Sequence, residues 1–329
     1  MISGVRQNYR VLMPGLLLGI SSLLVLSFLG DINQLGFYFR SFRWEYFALA
    51  VGLNFVHHAL RFLNISFSLN ISGIKHIPLK KRLTFYLSGS ALTAAEQHVN
   101  ESYKSLWISK TCGIPLNRVE SIFFIDQQSG TLSILILAAI GIIAYPSSWP
   151  LFVVLMGVFI LMLLFLQSEP ADDDLMSAGE KIPLIRRFSQ RLRTVKAGNG
   201  KMFKPIPLSI SLLLNILAWI TLAVALFLIL VGLGLTANFV LASISCLVLA
   251  FSIMIGSLSN MSGGMGVVEL ALAGLLSVLL DFRPELAVTA TILFRLSTFW
   301  ISLLFGILFW PTAAKSCTAE PGAVLIAES

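Results

Sequence analysis

The chain predicts an all-α protein, a polytopic membrane helical bundle, and three observations carry that expectation. Of 329 residues, 57% are hydrophobic and 12% charged, with a mean hydropathy of +0.87, a balance foreign to soluble globular domains. Apolar runs of roughly 20 residues, enough for a helix to cross about 30 Å of hydrocarbon, recur along nearly the whole length. Basic residues collect in the short segments between those runs, as cytoplasmic loops require. The net charge of +7 therefore reads as topology, and no aromatic-laced basic surface points to nucleic acid. Residues 1–329 are expected to form a single integral-membrane domain, with no room for a separate soluble one.

The elements follow in order. Arg6 and Arg10 precede an apolar run from Val11 to Gly30. That run exceeds a signal-peptide core and no clean cleavage site follows it, so it is expected to remain as a first span with the N-terminus cytoplasmic. Asp31 to Arg43 would then face outward. Trp44 to Leu69 forms a second span, and Lys75, His76, Lys80, Lys81 and Arg82 return the chain to the cytoplasmic side. Leu83 to Thr93 and Val99 to Cys112 are too short to span and flank Ala94-Ala95-Glu96-Gln97-His98. They predict a re-entrant hairpin or an interfacial helix pair.

Val119 to Tyr145 and Leu151 to Leu166 pair around a turn, Pro146-Ser147-Ser148-Trp149-Pro150. Residues 168–205 form a hydrophilic cytoplasmic loop that opens with Asp172-Asp173-Asp174 and then turns basic, with an amphipathic surface helix from Ile182 to Val195. Ile206 to Leu235 and Phe239 to Leu258 are spans, Val267 to Leu280 is a short helix after a glycine-rich break, and Leu286 to Trp310 is the last span. Pro311 and Pro321 begin an unstructured tail.

Residues 44–145 and 206–310 read as two pseudo-repeats, each with a broken or re-entrant helix. Glu101 and Glu269 stand 168 residues apart, and the same offset places Gln127 against Arg295 and Ser129 against Ser297. Transporters commonly hold their sites at such repeat interfaces, near the bilayer midplane.

The second repeat concentrates the chemistry. Ser262-Gly263-Gly264-Met265-Gly266-Val267-Val268-Glu269 breaks the backbone, and Arg295 follows inside an apolar run, too deep to reach water easily. Gly263, Gly264 and Gly266 suit either close helix packing or a ligand approaching the backbone. The helix that starts after them turns its free N–H groups and positive dipole end into the break, which favours an anion. Glu269 is the candidate partner of Arg295, in a structural ion pair or in a substrate site. On the second span Asn54, His57, His58, Arg61, Asn64 and Ser68 recur every three or four residues, a polar stripe expected to face the bundle interior. Glu101 and Lys104 follow the first break, and Asp126 should find Lys104 or another cation. Cys112, Cys246 and Cys317 lack metal or redox spacing. No hydrolase signature or metal cluster stands out, so neither a cofactor nor an enzymatic role is expected.

Three segments carry a family resemblance. They are Phe85 to Thr93 running to Glu101-Ser102-Tyr103-Lys104-Ser105; Asn215 to Trp219; and Gly263 to Glu269 with Phe294-Arg295-Leu296-Ser297-Thr298-Phe299-Trp300. In them the chain resembles the flippase-like family typified by the transmembrane region of lysylphosphatidylglycerol synthase. Ser262 stands where members usually have proline, and Asp126-Gln127 where they have Glu-Arg. Glu96, Gln97 and Asn100 occupy positions where they carry proline and glycine ahead of Gly-Glu.

The resemblance implies a protein of the bacterial inner membrane that moves a lipid headgroup between leaflets. Its partner would be an anionic or zwitterionic phospholipid, or a polyprenyl-linked lipid. Arg61 and Arg295 would contact phosphate. Glu101, Lys104, Glu269 and the glycines would complete the substrate site. Two alternatives are a membrane-embedded enzyme or accessory subunit of lipid or glycan synthesis, and a non-transporting scaffold. The synthase joins this region to a soluble aminoacyl-transfer domain, and the chain ends at Ser329 without one. The second repeat is expected to carry headgroup recognition and the first to have drifted.

Overall fold

In the computed structural model every element among the described residues is helical. Those residues are 32–75, 77–91, 113–143, 205–259 and 264–318, with isolated positions at 21, 105, 108–109, 146, 149–150, 152–153 and 156–157. The expected first span, the re-entrant hairpin, the helix after Pro150 and the loop at 168–205 lie mostly or wholly outside them.

In chain order the helices are α1 (Ile32–Ser41), α2 (Trp44–Ile71), α3 (Leu79–Ala91), α4 (Leu116–Ile142), α5 (Pro205–Gly232), α6 (Phe239–Leu258) and α7 (Val267–Leu279). α8 (Pro284–Arg295), a π-helical turn (Leu296–Trp300) and α9 (Ile301–Thr318) run on without a break. Four stretches are long and apolar enough to cross a membrane: Leu116–Ile142, Pro205–Gly232, Phe239–Ser257 and Pro284–Phe309. The protein is therefore an integral membrane protein. α2 has 28 residues, about 42 Å of helix, but its polar stripe leaves it less apolar than these four.

Three differences from the sequence expectations have physical causes. Asp31 to Arg43 contains helix α1, whose Leu35 packs with Ala273, Val288 and Ile292 on α7 and α8. The last span does not stop at Trp310 but continues through Pro311 to Thr318. A proline removes one helical hydrogen bond without always ending a membrane helix. Arg82, grouped with the loop cations, is 8% exposed.

The burial of Arg82 follows from how α2 ends. Gly73, at φ +82, allows the Gly73 N–H to bond Asn70 O and the Ile74 N–H to bond Leu69 O. That is the Schellman pattern, completed by the apolar contact between Leu69 and Ile74. The turn folds over α3, and Arg82 donates to Ile77 O at 2.9 Å, Ile74 O at 3.0 Å, Ser66 O at 3.3 Å and Asn70 Oδ1 at 2.8 Å. Its charge thereby sits at the negative end of α2. Arg82→Ala is expected to destabilise the protein by about 2 to 3 kcal/mol, since it strips buried carbonyls of a charged donor. Arg82→Lys should recover only part, because one ammonium cannot reach this spread of acceptors. Thermal unfolding of the purified variants in detergent checks both.

The core is one large cluster drawn from α2, α4, α5, α6, α7 and α8, with Leu226, Leu230, Val248 and Leu293 fully buried. α5 packs along α2 and also touches α4 and α6, α3 packs along α9, and α4 packs along α6. α2 and α5 run antiparallel: the Arg43 N–H bonds Gly232 O at 3.1 Å, while Arg61, further along α2, reaches back to Asn215. Small residues set the closest approaches, as membrane helix packing favours. A Cβ at Gly141 would lie 2.5 Å from Leu247 Cβ and 2.7 Å from its backbone, and one at Gly256 would lie 2.3 Å from Val268 Cγ2.

Candidate functional site

Two buried ion pairs lie in the membrane-spanning bundle. The first joins α7 to the end of α8. Gly264 and Gly266 take φ of +66 and +83, backbone angles that side chains disfavour, and they turn the chain into α7. Glu269, in the first turn of α7, is 1% exposed and accepts the Gly266 N–H at Oε2, 2.8 Å away. Its Oε1 accepts Nε of Arg295 at 2.7 Å. The Arg295 guanidinium carbon lies 4.3 Å from the centre of the Phe299 ring, a cation–π contact. Arg295 Nη2 is buried and has no partner among the described residues. Such an unmet donor costs about 1 to 3 kcal/mol, and more when charged.

The second pair joins α2 to α4. Arg61 donates to Asp126 through both terminal nitrogens, at 3.2 and 3.0 Å, and through Nη1 to Asn215 Oδ1 on α5. Asn64, one turn on from Arg61, donates to Asp126 Oδ1 at 2.6 Å. Asn215 Nδ2 reaches Ser129 Oγ at 2.8 Å, and Ser129 pairs with Ser211 at 3.1 Å. The carboxylate is thus held by donors from two helices, as a charge in a lipid-like surrounding must be. Gly130 leaves room for the arginine, since a Cβ there would sit 3.7 Å from Arg61 Nη1.

The stripe of α2 reaches from this second pair to the span that carries Arg295. Asn54 donates to Thr298 O, within the π-helical turn, and to Ser302 Oγ, each at 3.1 Å. His58 lies between Tyr86 Oη, 2.9 Å from Nδ1, and Ser302 Oγ, 2.6 Å from Nε2. Ser302 gives its single proton to Thr298 O at 2.6 Å. His58 Nε2 must therefore donate, and in the neutral ring Nδ1 accepts from Tyr86. His57 Nδ1 faces the Ala218 carbonyl at 2.8 Å and must carry a proton there. The two histidines thus use opposite tautomers and tie α2 to three different helices. The π-helical turn that follows Arg295 is an element often found at functional sites.

The structure brings together Glu269, Arg295, Gly264 and Gly266 at one centre and places Arg61 at the other. Glu101, Lys104 and Gly263 lie outside the described residues. Asp126 meets its cation in Arg61. The sequence had named Lys104 or another cation, and the helical stripe alone did not choose between them. Asn64 and Asn215 had no assigned partner, although Asn215 begins one of the three segments of family resemblance. Tyr86 and Ser302 carried no signal beyond being polar atoms in apolar helices.

Residues 14–306 match the family described as the lysylphosphatidylglycerol synthase TM region. The chain belongs to that family. A comparison with curated proteins returned no significant match. Membership and the apolar spans together make this an integral membrane protein related to lipid metabolism or transport.

Proposed function

We propose that the protein binds the headgroup of a membrane lipid within the bundle and carries it between leaflets, without covalent chemistry, in a bacterial inner membrane with the N-terminus cytoplasmic. The observation that carries this reading is the pairing of two buried charge centres, Arg61 with Asp126 and Glu269 with Arg295, with a polar helix face leading from one toward the other's span. Charges at membrane depth are costly and mark substrate paths. Each centre is neutral when empty, so the resting protein holds no unpaired charge in lipid. A headgroup carries charged groups of its own and can trade partners with either centre. The α2 stripe offers hydrogen bonds along the way to replace lost hydration.

Support for a duplicated frame comes from the packing. α3 lies along α9 as α4 lies along α6, and α2 pairs with α5, which is the exchange of partners that two related halves would give. Purified protein reconstituted into vesicles with fluorescent phospholipids and a polyprenyl-linked lipid tests the transport. At least one lipid should exchange leaflets clearly faster than in protein-free vesicles. Equal rates for every class tested would overturn the reading.

A further inference from the structure

We infer that Arg295 and the first turn of α7 hold a phosphate anion, on the guanidinium edge that Glu269 leaves free. This rests on the headgroup reading above and specifies which part of a lipid is gripped and by what.

Arginine presents five N–H donors in a rigid planar fork that matches phosphate with two parallel hydrogen bonds. Glu269 occupies only the Nε edge, at 2.7 Å, and Nη2 is left buried without a partner among the described residues. The Arg295 side chain is 9% exposed, so bulk water is a poor substitute. The ring of Phe299 lies against the guanidinium at 4.3 Å, and Glu269 fixes its edge, so the fork is oriented before any ligand arrives.

The backbone supplies a second, independent set of donors. Glu269 belongs to the first turn of α7 and also accepts the Gly266 N–H at 2.8 Å. The guanidinium is thereby tethered to a helix N-terminus, where amide N–H groups and the helix dipole favour negative charge. Gly264 and Gly266 carry no side chain over that turn. Glu269 already neutralises Arg295, so a phosphate adds one negative charge, which the free N–H groups and the dipole offset. A neutral headgroup would leave the charged fork without an equivalent acceptor. The chemistry is common to a lipid phosphate and to free inorganic phosphate.

The test uses the full chain in detergent micelles and native mass spectrometry, with phosphatidylglycerol, phosphatidate and diacylglycerol of identical acyl chains. Both phosphate-bearing lipids should be retained about tenfold more than diacylglycerol, and Arg295→Lys, which keeps the charge but loses the fork, should lower their retention about tenfold. Equal retention of diacylglycerol overturns the site without needing any variant. So does a folded Arg295→Lys protein that retains lipid like the wild type. Millimolar inorganic phosphate that displaces the lipid assigns the site to the free anion, and failure to displace it assigns the site to lipid. Leaflet exchange in the same preparations separates the two claims. Retention without exchange keeps the site and removes transport, whereas exchange with no phosphate preference does the reverse.

Discussion

Asp126→Leu is expected to cost about 3 kcal/mol or more of stability, the largest loss from any single polar substitution in the described bundle. Asp126 accepts two bonds from Arg61 and one from Asn64, with Asn215 Nδ2 at 3.5 Å. Removing it leaves a guanidinium and a buried amide without their acceptor. Arg61 is 24% exposed at its side chain and Asp126 only 7%. Arg61 can therefore relax partly toward water, which places the loss at the lower end of the range for a broken buried pair.

The double variant Arg61→Leu with Asp126→Leu should recover most of that loss, because removing both charges leaves no unpaired ion and adds apolar surface. Thermal unfolding of the four proteins in one detergent gives the coupling energy directly. A double variant no more stable than the sum of its singles would mean that the pair is not coupled as drawn. The recovered protein then serves a second purpose. It keeps the fold but lacks the polar centre, so its leaflet exchange should fall to the protein-free rate. Undiminished exchange would make this centre structural and confine transport to Glu269 and Arg295.

The bilayer made much of the fold legible and hid much of the site. Membrane thickness sets helix length, so the ends of α2, α5, α6 and α7 follow from where apolar runs start and stop, and Phe239–Leu258 matches the sequence expectation residue for residue. Glu269 and Arg295 were legible as a pair because each is costly alone in lipid and they are the two opposite charges nearest in the chain at that depth. Arg61 and Asp126 are 65 residues apart on different helices, and charge alone could not choose among cations.

Arg82 misled for a different reason. A cation in a short loop normally meets headgroups, but a glycine-capped turn folded this loop back onto α2 and gave the guanidinium four acceptors. The π-helical turn left no trace, since one extra residue per turn requires no particular composition. These misses share one cause: a lipid-facing helix is specified by composition, whereas a polar contact inside the bundle is specified by which helices become neighbours.

Glu269→Gln and Arg295→Ala should change lipid binding in opposite directions while both lower leaflet exchange. Gln at 269 can still accept the Arg295 N–H through its carbonyl oxygen, but its amide nitrogen cannot accept the Gly266 N–H. The negative charge that balanced Arg295 is also gone. The guanidinium then faces a phosphate with its whole charge, so retention should rise about tenfold and release should slow in proportion. Arg295→Ala removes the fork and strands Glu269, which is 1% exposed. Retention and exchange should then both fall, about tenfold or more, along with thermal stability.

A purely structural ion pair gives another pattern. Each variant would lower stability, and the folded fraction would bind and exchange lipid as the wild type does. Retention by native mass spectrometry, exchange in vesicles and unfolding temperature, measured on the same three proteins, separate the two cases. The decisive quantity is the sign of the retention change in Glu269→Gln. An increase requires the carboxylate to compete with the ligand for Arg295, and a decrease or no change removes that competition.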